Sequence, residues 1–396
     1  MGTCQARIEQ WAHVKIAFID VTATVSFGGI QTAIWQLARE LGDRGHTVSI
    51  YGGTGPIHPD LGERPITIHT YGFKARNRFP NLGTRFRKFA ERLSFARRAK
   101  LDVIDANHDW IILTKPLDFF WPRLMPAGHP VRFVFMSGGT DFMPGDRWLA
   151  ERIGVMTACS HFNAQQIHAR YKRQVKVIFN GVDTKYFRPG QRDAMRRRSL
   201  GFATDDVVFI FTGRVIGLKG LHLAIQALAT QQLANLPAKL LIVGDGPALA
   251  GLKELARQLN VVERINFHPA LPHGELPALY ACADVGIFPS LGEEAFGIAV
   301  AEAMACGLPV VASHNGGMPE VIGNEGTCGR LFALGDILDC AKAMEALCRA
   351  PELRSSMGHA ARRRIKLHFT WTHVTDRLLE ALAPPDIAAT SATCTR

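Results

Sequence analysis

Two glutamates, Glu294 and Glu302, stand with seven residues between them where one apolar run ends and another begins. The first run, Asp284–Ser290 (DVGIFPS), reads as a strand leaving for a loop, and the second, Phe296–Cys306, reads as a helix stopped at Gly307. That spacing sets the two acids about two helical turns apart. Backbone amides at the helix start, those of Phe296, Gly297 and Ile298, can hold a phosphate group. Carboxylates just before and along the first turns can accept hydrogen bonds from sugar hydroxyls. A nucleotide sugar offers both groups. The plainer alternative is that Glu294 caps the helix and Glu302 faces solvent, because acids are favoured near helix N-termini in any case.

A pair of cations belongs to the same half of the chain. Arg214 and Lys219 follow the apolar run Val207–Phe211, in a loop that also holds Gly213, Gly217 and Gly220. Such a loop lets backbone approach a ligand closely, while a guanidinium and an ammonium can neutralise a diphosphate. Two solvated surface cations are the alternative here.

The elements that must position these residues alternate strand and helix twice over. Val14–Asp20 reads as a strand, followed by a loop with Gly28 and Gly29. A helix then carries Ile30, Ile34, Leu37 and Leu41 on one face, and Thr47–Tyr51 is the next strand. This is the opening unit of a doubly wound sheet. Further strands are predicted at 66–70, 101–106, 131–136, 154–158 and 174–179. A boundary is read at 200–206, where a new alternation starts, with strands at 207–211, 239–243, 265–268, 285–288 and 310–312. The first turn lacks the three-glycine dinucleotide fingerprint, and the second strand ends without the acid that would hold a ribose, which argues against a nicotinamide-type fold.

At 396 residues the chain is too long for one ordinary core and suits two domains, for which 47% hydrophobic content is ample. No run approaches the ~18 apolar residues of a membrane span, and the N-terminus shows no secretory pattern. A cytoplasmic protein is expected, with ends at 1–12 and 384–396 that read as disordered. Eight scattered cysteines without a Cys-x-x-Cys pair point to reduced thiols, neither a disulfide framework nor a zinc site. Between Lys74 and Lys100, ten basic residues stand against Glu91 alone, nearly all of the chain's net charge of +11. A nucleic-acid protein would usually spread its basic surface over more than one element. Within this segment Leu82, Phe86, Phe89, Leu93 and Ala96 recur at helical spacing, which predicts an amphipathic helix with a cationic face. Three readings stay open: an ordinary surface helix, attachment to an anionic membrane, and docking of a phosphorylated acceptor.

The segments Asn180–Pro189 (NGVDTKYFRP), Phe211–Gly220 (FTGRVIGLKG), Leu241–Pro247 (LIVGDGP), Pro289–Gly297 (PSLGEEAFG) and Ala312–Glu320 (ASHNGGMPE) occur in this order. Together they resemble the retaining glycosyltransferases of family 4 across about half the chain. The resemblance implies an α/β fold of the GT-B type, two doubly wound Rossmann-like domains facing a central cleft. Residues 1–185 would form the acceptor-side domain and 186–369 the nucleotide-sugar domain. Residues 370–396 would supply a helix, 371–382, returning to the first domain, and a tail. Arg214 and Lys219 would then stabilise the leaving nucleoside diphosphate, whose developing charge most needs compensation in the transition state. Glu294 would bind the donor sugar and Glu302 the donor ribose. Gly28 and Gly29 would let the first loop close over the diphosphate. No metal or other cofactor is implied, and no protein nucleophile either, because the leaving phosphate can take the acceptor's proton on the same face of the sugar.

One departure stands out. Family members usually carry a histidine after the strand that corresponds to 131–136, where this chain continues Ser137–Asp141 (SGGTD). Ser137, Asp141 and His108 are the candidates for the donor-sugar contact it would make, although His108 alone reads first as a loop or capping residue. The partners implied are a nucleotide sugar and a glycan or lipid-linked acceptor of the cell envelope, and residues 74–100 offer an anionic membrane surface on the inner face as a further candidate partner. A small soluble acceptor, such as a sugar or aminocyclitol, and an inactive sugar-nucleotide binding module are the alternatives. The joint presence of Arg214, Lys219, Glu294 and Glu302 speaks against the inactive module.

Overall fold

In the computed structural model, which describes residues 13–26, 28–139 and 141–383, the apolar runs fold into two parallel sheets, one in each of two units. The predicted disordered ends lie outside the described residues. The first unit holds the described residues up to Phe179 together with those from Trp371 onward, and Asn180–Thr370 form the second.

The sheet of the first unit contains β1 (Lys15–Ile19), β2 (Thr47–Gly53), β3 (Ile66–Tyr71), β4 (Trp110–Leu113), β5 (Arg132–Ser137), β6 (Val155–Ala158) and β7 (Lys176–Val177), in the order β3-β2-β1-β4-β5-β6-β7. Parallel strands need helices on both faces, so their side chains are apolar on both sides. Ile16, Phe18, Val48, Ile50 and Ile112 face one layer, made by α1 (Gly29–Asp43) and the helix Trp371–Leu382. Ala17, Ile19, Tyr51, Ile111 and Leu113 face the other, where α2 (Thr84–Asp105) contributes Phe95, Ala99 and Val103. The second unit repeats the plan with β8 (Val207–Thr212), β9 (Ala238–Val243), β10 (Ile265–His268), β11 (Val285–Phe288), β12 (Val310–Ser313) and β13 (Gly329–Phe332), in the order β10-β9-β8-β11-β12-β13. Its helix α3 (Ile298–Ala305) follows β11. In each sheet the order reverses once, between β1 and β4 and between β8 and β11. Such switch points open a crevice at the carboxyl ends of the strands, where ligands of open α/β sheets bind.

Three sequence expectations that bear on the site need correction. Residues 101–106 are not a strand: α2 runs through them to Asp105, because no breaker intervenes before Asn107, whose positive φ of 48° ends the helix. The strand is β4, and His108 therefore precedes a strand instead of following one. The helix after β11 starts at Ile298, two residues later than predicted, and its N-cap is Gly297, so Glu294 lies three residues ahead of the cap and does not cap the helix. Thirdly, α2 is rotated from the predicted stripe. Phe86 and Leu93 are exposed, while Glu91, Arg92, Phe95, Ala96, Ala99 and Val103 face the core. The rotation follows from Arg92, which is 2% exposed and is drawn inward by two buried acids described below.

Candidate active site

The carboxyl edge of the second sheet is built from three loops that hold one another. The loop after β8 carries Arg214, which is exposed, and Lys219, in the turn Gly217–Lys219. Its Leu218 carbonyl accepts the N–H groups of Leu291 and Gly292, both at 2.9 Å, from the loop after β11. Gly220, at φ +64°, approaches that loop so closely that a Cβ would lie 1.9 Å from the Pro289 oxygen. The loop after β12 closes the other side. Gly317 N–H donates to the Glu294 carbonyl at 2.7 Å, and at Gly316, with φ +60°, a Cβ would lie 2.2 Å from the same oxygen. Asn315 Nδ2 donates to the carbonyls of Ser290 and Gly292 at 3.2 and 2.8 Å.

This frame fixes the Glu294 side chain. Its Oε1 accepts from Ser290 Oγ at 2.9 Å and forms an ion pair with Lys219 Nζ. Glu294, Lys219 and the loop bearing Arg214 thus lie at the switch point between β8 and β11. Phe296 is 2% exposed, so its ring is out of a ligand's reach. The first amides of α3, at Ile298 and after, have no partner within the helix.

Glu302 lies further along α3, 5% exposed, and His273 Nε2 donates to its Oε1 at 2.6 Å. That hydrogen bond, against the effect of burial, raises the His273 pKa above its ordinary 6.5. Burial pushes the nearby Tyr280 hydroxyl well above its usual range, with the Glu302 charge adding to it. A raised histidine value means that the pair's contribution to stability is fully present below pH 6.5 and fades as pH climbs through the folded-state value. His273→Gln is expected to lower the midpoint of thermal unfolding in mildly acidic buffer and to approach wild type in alkaline buffer. A deficit that stays constant with pH would remove the ion pair from the account.

The first unit gathers a different set at its own switch point. Asp20, fully buried after β1, accepts from Thr22 N–H at 2.9 Å, Thr22 Oγ1 at 2.7 Å and Thr114 Oγ1 at 2.9 Å, and pairs with Lys115 Nζ at 3.0 Å. Arg92 reaches it from α2 at 3.8 Å and holds Asp118 at 3.0 Å. Burial alone would raise the Asp20 pKa, but Lys115 and Arg92 outweigh it and hold the carboxyl well below the usual range. For Asp118 burial wins over Arg92 and pushes the carboxyl up to about 6. Gln31 Nε2, on α1, donates to Thr22 Oγ1 at 2.6 Å, which sets Gly28 and Gly29, the cap and first residue of α1, beside this cluster. Sequence reasoning missed Asp20, Arg92, Lys115 and Asp118, which share no motif.

Of the three residues considered for the donor-sugar contact, Ser137 ends β5 at the carboxyl edge, 2% exposed, with its Oγ donating to the Gly139 carbonyl at 2.8 Å. Asp141 follows and pairs with Lys88 at 2.9 Å. His108 sits at the opposite, amino-terminal edge of the sheet. There its Nε2 bonds the Tyr51 hydroxyl at 3.0 Å, and burial depresses its pKa to about 4.

Among the described residues no group of three His, Cys, Asp or Glu is placed to hold a metal ion, and no helix is long and apolar enough to cross a membrane. Cys282, Cys306, Cys328, Cys340 and Cys348 are buried thiols, and burial pushes Cys306 and Cys340 up to about 12.

Family models place these two edges in a wider context. Residues 27–186 match Glycosyltransferase Family 4, and residues 193–364 match Glycosyl transferases group 1. The chain belongs to the family 4, group 1 glycosyltransferases. Its relatives include the D-inositol 3-phosphate glycosyltransferases of Mycolicibacterium smegmatis and Mycobacterium tuberculosis, each 34% identical over 239 residues, or 58% of this chain. The chain spans about half the length of these curated relatives, 52% and 48%. Among solved structures it is similar to Anabaena Alr3699/HepE in complex with UDP and glucose, with a TM-score of 0.75 and 22% identity over 93% of this chain and 99% of that one. Sucrose-phosphate synthase from Thermosynechococcus elongatus gives a TM-score of 0.76 and 22% identity over 96% and 100%. At such identities the likeness speaks for the fold, which is GT-B.

Proposed function

We propose that this chain is a retaining glycosyltransferase that needs no metal and moves a sugar from a nucleotide-sugar donor to an acceptor hydroxyl in cell-envelope glycan or glycolipid assembly. The observation that carries the reading is the Lys219–Glu294 pair, fixed by three interlocked loops beside Arg214 at the switch point of the second sheet. In this reading Arg214 and Lys219 take up the negative charge that grows on the diphosphate as its bond to the sugar breaks. Glu294 orients the sugar through its hydroxyls, the α3 amides hold phosphate oxygens, and Glu302 binds the ribose. The acceptor oxygen attacks from the face the diphosphate leaves, and its proton passes to the departing phosphate oxygen. Uridine diphosphate is the nucleotide to try first, because a similar structure holds it. Exposed Phe86, Leu93 and Leu101 among the cations of α2 support a place on the inner membrane surface. The second reading, a small soluble acceptor, draws its support from the relatives named for D-inositol 3-phosphate.

The test separates the two glutamates. Isothermal titration with uridine diphosphate, which lacks the sugar, is expected to find Glu302→Gln weakened and Glu294→Gln close to wild type. With the full donor, Glu294→Gln should lose turnover. The reverse ranking would overturn both assignments, and a product of inverted anomeric configuration by proton NMR would overturn the retaining mechanism.

A further inference from the structure

The outer edge of the first sheet holds a second concentration of charge, two strands removed from Asp20. There a cavity of about 290 Å³ is lined by Phe73, Lys74, Ser94, Arg97 and Arg98. Phe73 and Lys74 follow the edge strand β3, and Ser94, Arg97 and Arg98 lie three and four residues apart on one face of α2. The two elements are tied together: Lys74 N–H donates to Ser94 Oγ at 2.9 Å, and Ser94 Oγ donates to the Glu91 carbonyl at 2.7 Å. Arg98 reaches back over Gly72, where a Cβ would lie 2.4 Å from its Nη1.

The charges around this cavity have no carboxylate partner among the described residues, Lys74 Nζ resting instead 4.6 Å over the Phe79 ring. Elsewhere in the basic segment Arg76 pairs with Glu91, Lys88 with Asp141, and Arg92 with Asp20 and Asp118. Among the described residues no ion pair reaches Lys74, Arg97 or Arg98. Three like charges gathered around one cavity repel, and an anion placed among them turns repulsion into attraction. Two guanidinium forks and an ammonium match the several oxygens of a doubly charged phosphate better than a single carboxylate.

We propose that Lys74, Arg97 and Arg98 form a binding pocket for a phosphomonoester, two strands away from Asp20 at the β3 side of the first sheet. The phosphate is carried either on a lipid headgroup or on a soluble sugar. Leu93 and Leu101, exposed beside the pocket on α2, give a lipid-borne phosphate an apolar margin. The inference deepens the acceptor-side reading above and rests on it for what the anion is for, but binding is measured without turnover.

The experiment compares wild type with an Arg97→Gln/Arg98→Gln variant and with Arg85→Gln/Arg87→Gln, which removes equal charge from the same helix outside the cavity. All are exposed or half-buried positions, and circular dichroism verifies folding. Binding of inorganic phosphate is read by titration. Binding to phosphatidylcholine vesicles is read by sedimentation, with phosphatidic acid set against phosphatidylglycerol at equal surface charge. The pocket variant is expected to lose about tenfold or more in affinity, the scale of two charge-assisted hydrogen bonds, whereas the control should lose about twofold through general electrostatics. Preference for phosphatidic acid, lost in the pocket variant, assigns the lipid source. Phosphate binding without that preference assigns the soluble source. Equal losses in the two variants, or no phosphate binding together with no preference between the lipids, would overturn the pocket. Uridine diphosphate titration of the same samples reads the second unit, so failure here is distinguishable from failure of the glycosyltransferase reading.

Discussion

Arg214→Ala is expected to slow sugar transfer by about 10²–10³-fold, the range seen when one preorganised electrostatic donor to a developing charge is removed. The side chain is exposed, and its only described hydrogen bond is through its backbone carbonyl, so its loss should change stability by less than about 0.5 kcal/mol. The loss therefore belongs to the chemistry and not to folding. Lys219→Ala should slow transfer by a similar factor but for two reasons. It removes a second cation from the diphosphate, and it frees the Glu294 carboxylate, leaving Ser290 as its described side-chain partner. The two variants are thus expected to differ in one respect: Lys219→Ala should also raise KM for the donor sugar, because Glu294 is no longer aimed. Steady-state kinetics with purified protein decide the matter. Wild-type turnover in folded Arg214→Ala would detach the loop after β8 from the donor phosphates.

What could be read from the sequence was what lies close together along it. Arg214 and Lys219 share one loop with Gly220, and Glu294 and Glu302 flank one helix start. Local spacing therefore pointed to the loops that meet at the second unit's switch point. Most strands were legible for the same reason, since apolar runs between glycine and proline signals fix them. The errors came where a long-range partner overrode local pattern. Leu101, Val103 and Ile104 make a short apolar run like that of a strand, yet only Val103 is buried, because the helix from Thr84 simply continues. The two-residue strand β7 was predicted longer, and β13 was missed, its run Gly329–Phe332 being short and interrupted by Arg330. The buried charges of the first unit were invisible altogether. Asp20 meets Arg92, and Thr114 meets Asp20, across 72 and 94 positions, and a cation in an amphipathic pattern is counted as solvent-facing. That assumption turned the predicted stripe of α2 away from its real core face.

Loss of Arg92 should consequently damage the fold heavily. It is 2% exposed, and its guanidinium faces two buried carboxylates, at 3.0 Å from Asp118 and 3.8 Å from Asp20. A buried pair adds little net stability over an apolar replacement of both members, because desolvation offsets attraction. Removing one member is different, since it strands the other's charge, at about 3–5 kcal/mol. Arg92→Leu leaves Asp118 without its nearest cation and Asp20 with Lys115 alone, so urea unfolding should show a loss in that range. The pH dependence gives a second signature. Asp118 in the wild type ionises near 6, above its ordinary 3.8. Without Arg92 it should hold its proton to still higher pH, so the stability deficit must widen as pH rises above 6 and narrow below it. Arg92→Leu combined with Asp118→Asn should recover part of the loss by removing the stranded charge. If Arg92→Leu cost under about 1 kcal/mol, as an exposed pair would, or if the deficit did not change across pH 6, the carboxylates would be solvated and the charged cluster would not be what turns α2 toward the core.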